Sequence, residues 1–133
     1  MLENKRSDVP NALSKITLLL ILFTLLVYSF IYNYQHTFST EKWVNHPTWR
    51  AEMLNDLLTR YELIGMSKKD IISLLGNDCL FDSVEPITFK LSKVELDPSD
   101  VLLYYIGEDY MEDVWLIICL ERNTVNNYFF DVT

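Results

Sequence analysis

The segment Ile16–Tyr32 reads ITLLLILFTLLVYSFIY, 17 residues without a single charge. That run limits what the chain can become. A helix rises about 1.5 Å per residue, so roughly 20 apolar residues cross a hydrocarbon core of about 30 Å. Asn33, Tyr34 and Gln35 extend the run with side chains suited to the headgroup region, where tyrosine is favoured. A core helix of a soluble domain would carry a polar stripe, and this one offers only Thr17, Thr24 and Ser29 as small polar residues. The segment reads as a transmembrane helix over residues 16–34, with a cleaved secretory signal as the competing reading.

The bulky aromatics of YNYQHTFST argue against cleavage, which needs small residues; Thr37 and Ser39 supply only a weak pair. No cysteine follows the apolar run to accept a lipid. Lys5, Arg6 and Lys15 precede the span, whereas only Lys42 lies within about 15 residues after it. This asymmetry sets residues 1–15 in the cytoplasm and the C-terminal part outside the cytoplasmic membrane. Two of the 19 acidic and three of the 11 basic residues precede the span, so the exported part holds 17 acidic and eight basic residues, a net charge of −9. Such a surface argues against nucleic acid or anionic lipid as a partner. Its simplest role is to keep a small domain soluble.

Residues 35–46 read as a tether, with Trp43 and Val44 the first side chains able to pack, and residues 47–133 as the exported domain. Pro47 suits the first turn of a helix, where its missing N–H costs nothing. Trp49, Met53, Leu54, Leu57, Leu58 and Tyr61 then trace one helical face, and Arg50, Glu52, Asn55, Asp56, Thr59 and Arg60 fall on the other. Gly65 permits a turn conformation closed to other residues. A second helix is punctuated at both ends. Ser67 is its N-cap, Asp70 stands three residues later as in a capping box, Met66 and Ile71 are placed for a hydrophobic staple, and Gly76 stops it. So short a helix is marginal alone and needs something larger to pack on.

That support is a sheet. Val101–Gly107 and Val114–Glu121 are β-branched and aromatic runs, and Thr124–Thr133 is a third, weaker one. Arg122 and Asn123 make a tight antiparallel turn, while the acidic stretch Glu108–Asp113 reads as the loop joining the first two strands. PITFKL, with Pro86 at its start, is a candidate edge strand. The fold class is α+β: an N-terminal transmembrane helix, then two helices packed on a three-stranded antiparallel sheet.

The order GMSKKDIISLLG, LLYYIG and WLIICLERNTV resembles the SmpA/OmlA (BamE-like) family. There a helix opened by Gly-Met-Ser/Thr and closed by Leu-Gly precedes a three-stranded antiparallel sheet. Leu116, Ile118 and Leu120 match the alternating set of its last hairpin, and Val125 the valine. The resemblance covers about Trp49 to Val132. It implies this fold and an exported, adaptor-like domain. The chain departs from the family pattern in two places: it lacks the lipid-acceptor cysteine, and Asn77 and Asp78 follow the Leu-Gly where a proline often stands.

Alternation along the strands turns Leu116, Ile118 and Leu120 toward the helices and Trp115, Ile117 and Cys119 away. With Val125 and Phe129 assigned to the helix side, Trp115, Ile117, Tyr128 and Phe130 are expected to form an open apolar face for an unidentified protein partner. The alternative is that the segment 77–99 folds over that face. Cys79 and Cys119 are a candidate disulfide in an oxidising compartment. Catalysis has little material: His36 and His46 lie near the membrane with no nucleophile motif beside them. There is no metal-ligand spacing or phosphate-binding loop. Glu108, Asp109, Glu112 and Asp113 lack the spacing of a calcium loop. No metal, cofactor or small-molecule substrate is expected, and the function indicated is protein–protein interaction by a membrane-tethered adaptor, envelope-assembly or inhibitor-like module. The alternatives are a structural single-pass protein that assembles through its transmembrane helix and, behind it, a small metal-binding or hydrolytic domain.

Overall fold

The computed structural model describes residues 8–77 and 100–132. The chain divides into two compact units, residues 1–34 and 35–133.

In the first unit, helix α1 (Asp8–His36) contains the apolar run. Within its stretch Asn11–His36 the most apolar 18 residues have a mean hydropathy of 2.1 and none of them is buried; the helix is long and apolar enough to cross a membrane, as is a secretory signal. The hydroxyls of Thr17 and Thr24 donate back to the carbonyls of Leu13 and Ile21 at 2.9 and 2.8 Å, so the helix satisfies them internally.

The second unit is α+β. Its elements are α2 (Thr40–Asn45), a 3₁₀ turn (Pro47–Trp49) running into α3 (Arg50–Arg60), α4 (Lys68–Leu75), β1 (Val101–Asp109), β2 (Glu112–Glu121) and β3 (Thr124–Val132). The strands form an antiparallel meander in the order β1-β2-β3.

The expected tether is part of this unit. Ser39 caps α2, and the chain then buries Phe38 and Trp43 in the core. Phe38 meets the rings of Trp43 and Tyr61 edge-on at 5.8 and 5.6 Å. The Asp56 carboxylate accepts the Phe38 N–H at 2.7 Å, and Arg60 Nη1 bridges from that carboxylate to the Phe38 carbonyl at 3.0 and 3.1 Å. Lys42 Nζ donates to the Thr37 carbonyl. Residues 35–46 therefore belong to the folded unit because two large aromatics there outweigh the polar residues between them.

Three short helices thus pack on the sheet, one more than the sequence suggests. Met53 and Leu57 of α3 and Ile71 and Leu75 of α4 are fully buried, against Leu102, Tyr104, Ile106, Leu116, Ile118, Leu120 and Val125. Arg50 reverses its expected exposure. It is 1% exposed, with Nε donating to the Trp43 carbonyl at 2.9 Å and Nη1 to the Tyr105 carbonyl at 3.1 Å. A planar guanidinium serves two carbonyls at once, and that makes its burial tolerable. Gly107 on β1 lies beside α3: a Cβ there would meet the Ala51 Cβ at 3.9 Å, an ordinary van der Waals contact.

The punctuation of α4 is as expected. Ser67 accepts the Asp70 N–H at 3.2 Å and donates to the Asp70 carboxylate at 2.6 Å. Gly76 takes φ +86° at the other end. The Tyr104 hydroxyl donates to the Gly76 carbonyl at 2.9 Å, tying that end to β1. The Gly65–Lys68 stretch also lines the edge of β3. Gly65 N–H donates to the Val125 carbonyl, Val125 N–H to that of Met66, and Lys68 N–H to that of Asn123, all within 2.8–2.9 Å.

Candidate interaction surface

The four residues expected to share an open face are divided by a β-bulge. Cys119 stands opposite Asn127, yet the next pair is Leu120 opposite Val125, which leaves Asn126 unpaired. One extra residue exchanges the faces of everything beyond it. Tyr128 and Phe130 pair with Ile118 and Leu116, on the helix side, and Phe129 pairs with Ile117 on the other. The assignment of Phe129 to the helices, and of Tyr128 and Phe130 to a patch with Trp115, is corrected accordingly.

The face turned from the helices is not open at its centre. Ile117 is 0% exposed and forms a second cluster with Val101 and Leu103, flanked by half-buried Trp115, Cys119 and Phe129. Tyr105 and Trp115 meet edge-on at 5.6 Å on this side. Asp131, opposite Trp115, is 1% exposed, and its Oδ1 accepts the Val132 N–H at 2.7 Å. The indole N–H of Trp115 has no acceptor among the described residues. Cys119 carries a free thiol, and burial raises its pKa. Cys79, residues 78–99 of the segment 77–99 that is the alternative cover for this face, and the candidate strand PITFKL lie outside the described residues. Phe130, 37% exposed, is the most exposed member of the expected patch; Trp115 and Tyr128 are half-buried and Ile117 is buried.

The exposed feature is elsewhere. The acidic stretch Glu108–Asp113 is mostly strand, because β1 and β2 continue to a two-residue turn at Tyr110 and Met111. Both turn residues have positive φ, 48° and 72°, where Asn-Gly is the usual choice. They are also 93% and 99% exposed. Below them Glu108 stands opposite Asp113, and Asp109 opposite Glu112. Like charges directly across a ladder weaken it. Burial, then the charges of Glu108 and Asp113, raise the pKa of Tyr105, so the field of these carboxylates reaches into the strands.

The sheet's other end is different in character. At the β2–β3 turn Arg122 and Asn123 take φ 51° and 63°. The Asn123 carbonyl accepts the Lys68 N–H, so this turn abuts the start of α4. Between them lies a depression of about 450 Å³, lined by Ser67, Lys68, Lys69, Ile72, Ser73 and Asn123.

The sequence signal for the tip was present: an acidic run around a Tyr-Met pair. It was obscured because an I′ turn normally declares itself through Asn, Asp or Gly. Among the described residues no group of three or more His, Cys, Asp or Glu is placed to hold a metal ion. No protein-family model, no curated protein and no solved structure matches this chain.

Proposed function

We propose that this chain is a membrane-anchored protein-interaction module without catalytic activity, and that the β1–β2 hairpin tip is its contact surface. One observation carries the reading. Tyr110 and Met111 are almost wholly exposed in a left-handed turn that disfavours both residues, above two like-charge cross-strand pairs. Each of these features lowers hairpin stability. A large apolar pair retained at such a cost fits a binding role, because aromatic and methionine side chains are enriched at interfaces.

In this reading α1 is an uncleaved membrane anchor. The basic residues Lys5, Arg6 and Lys15 keep its N-terminus in the cytoplasm and the α+β unit outside. The capped α4 followed by a three-strand meander supports the resemblance to the SmpA/OmlA (BamE-like) family, and with it an adaptor-like role at the cell envelope. The alternative, assembly through α1, has less support, since Thr17 and Thr24 already satisfy their hydroxyls within the helix.

A photoreactive residue at position 111 of the full chain, irradiated in intact membranes, tests the proposal. Covalent capture of a protein by this position, and not by one at Thr24 in α1, is the expected result. Capture from Thr24 alone would assign assembly to the helix.

A further inference from the structure

Among the described residues of the folded unit, the lysines that are not buried gather at one end of the sheet and a group of four carboxylates at the other, while Glu41, Glu52, Glu62 and Asp100 are exposed outside these two groups. Of its described basic residues, Lys42 and Arg50 are buried, and Arg60 is paired with Asp56 at 3.0 Å. The remaining three, Lys68, Lys69 and Arg122, all lie where α4 begins beside the β2–β3 turn. Asp70 at that end is engaged by the Ser67 hydroxyl at 2.6 Å, and Glu121 precedes Arg122. The four carboxylates Glu108, Asp109, Glu112 and Asp113 lie at the β1–β2 end instead. In a meander successive turns fall at opposite ends of the middle strand, and ten residues of β2 separate them by roughly 30 Å. One copy therefore cannot bring its own two ends together.

The tip and the depression are complementary in shape, and the lysines beside the depression are opposite in sign to the carboxylates beside the tip. One is a projecting apolar pair collared by carboxylates. The other is an open depression whose lining includes Ile72, Lys68 and Lys69, with Arg122 next in sequence to its Asn123. Its volume of about 450 Å³ lies within the range of pockets that enclose compact ligands. Opposed patches of this kind steer association and fix orientation.

We infer that the occupant of the depression is the Tyr110–Met111 tip of a second copy of this chain, docked head to tail. The inference rests on the proposed role of the tip and names its partner. Such a contact is heterologous: each copy offers one tip and one depression, which are different surfaces.

The test uses two variants of the full chain, differently tagged and reconstituted in zwitterionic liposomes. One has a disabled tip, Tyr110→Ser with Met111→Ser. The other has a disabled depression, Lys68→Glu with Lys69→Glu. Wild-type chains carrying a photoreactive residue at position 111 are expected to form a covalent dimer whose adduct maps to residues 67–73 of the other copy. Each variant alone should lose self-association at least tenfold, and raised salt should weaken the wild-type contact.

Mixing the two variants should recover a dimer, through the intact depression of the first and the intact tip of the second. That recovery also shows that both variants are folded. A mixture that stays monomeric while the wild type dimerises overturns the head-to-tail geometry. Adducts to lipid, or elsewhere on the second copy, overturn the assigned occupant. If position 111 captures a different protein in intact membranes and nothing in the purified liposomes, the interaction role stands and self-docking falls. Capture in neither overturns both.

Discussion

Arg50 donates its Nε–H to the carbonyl of Trp43 at 2.9 Å and lies over the ring of the same residue, 5.2 Å from its centroid. Through Nη1 it also reaches the Tyr105 carbonyl, so one side chain joins α2, α3 and β1. Arg50→Met keeps the volume and leaves both carbonyls without this donor. It is expected to cost about 2–4 kcal/mol, since each lost buried partner is worth about 1–3 kcal/mol. Arg50→Lys should be no better, because an ammonium cannot serve two carbonyls as a planar fork does. Urea unfolding of the full chain in detergent micelles, followed by tryptophan fluorescence, measures both.

The carboxylate of Asp56 is held below its usual pKa, first by the Phe38 N–H and then by the hydrogen bond and charge of Arg60. A depressed folded pKa means that the unfolded chain takes up the proton first. The stabilisation is then complete above the ordinary carboxylate pKa of about 3.9 and is lost as pH falls through the lower folded value. Acid unfolding of the wild type should show this loss below about pH 4. Asp56→Asn should be less stable at neutral pH and should lack that part of the acid limb. Thermal unfolding at a series of pH values distinguishes the two.

Ile117 and Phe130 separate the faces experimentally. Ile117 is fully buried in the cluster on the face away from the helices, whereas Phe130 is 37% exposed on the helix side of β3. Ile117→Ala is expected to cost about 2–4 kcal/mol, and Phe130→Ser about 1 kcal/mol or less. Equal costs in the same urea titration would contradict the bulged register.

At the tip, stability and association should move in opposite directions. Tyr110→Asn with Met111→Gly gives the turn residues that tolerate left-handed φ. It should raise stability by about 1 kcal/mol and abolish self-association between differently tagged copies of the full chain. A variant that loses both would show that the tip side chains support the fold.

Much of the second unit was legible in the sequence because its signals are local. Ser67, Asp70 and Gly76 carry their capping chemistry in their own backbone neighbourhood, and the Arg122–Asn123 turn sits between a strong strand pattern and a weaker one. Arg50 was misread because helical periodicity counts an arginine as polar surface, yet Trp43 and Tyr105 supply it with acceptors from distant segments. The tether was misread for the same reason, since Phe38 and Trp43 gain their burial from partners far along the chain. Alternation placed β2 correctly and β3 only as far as Val125. A strictly period-two pattern has no way to register one residue that steps out of the ladder.

That residue, Asn126, gives this protein an unusual mutational profile. Its side chain is exposed, so exchanges there should be nearly silent. Deleting it, however, shortens the strand by one position and turns Tyr128, Phe129, Phe130 and Asp131 inside out together. Related chains can therefore be expected to vary in identity at this site while holding the length of the strand fixed. In this strand the number of residues should constrain the fold more strictly than the side chain at position 126.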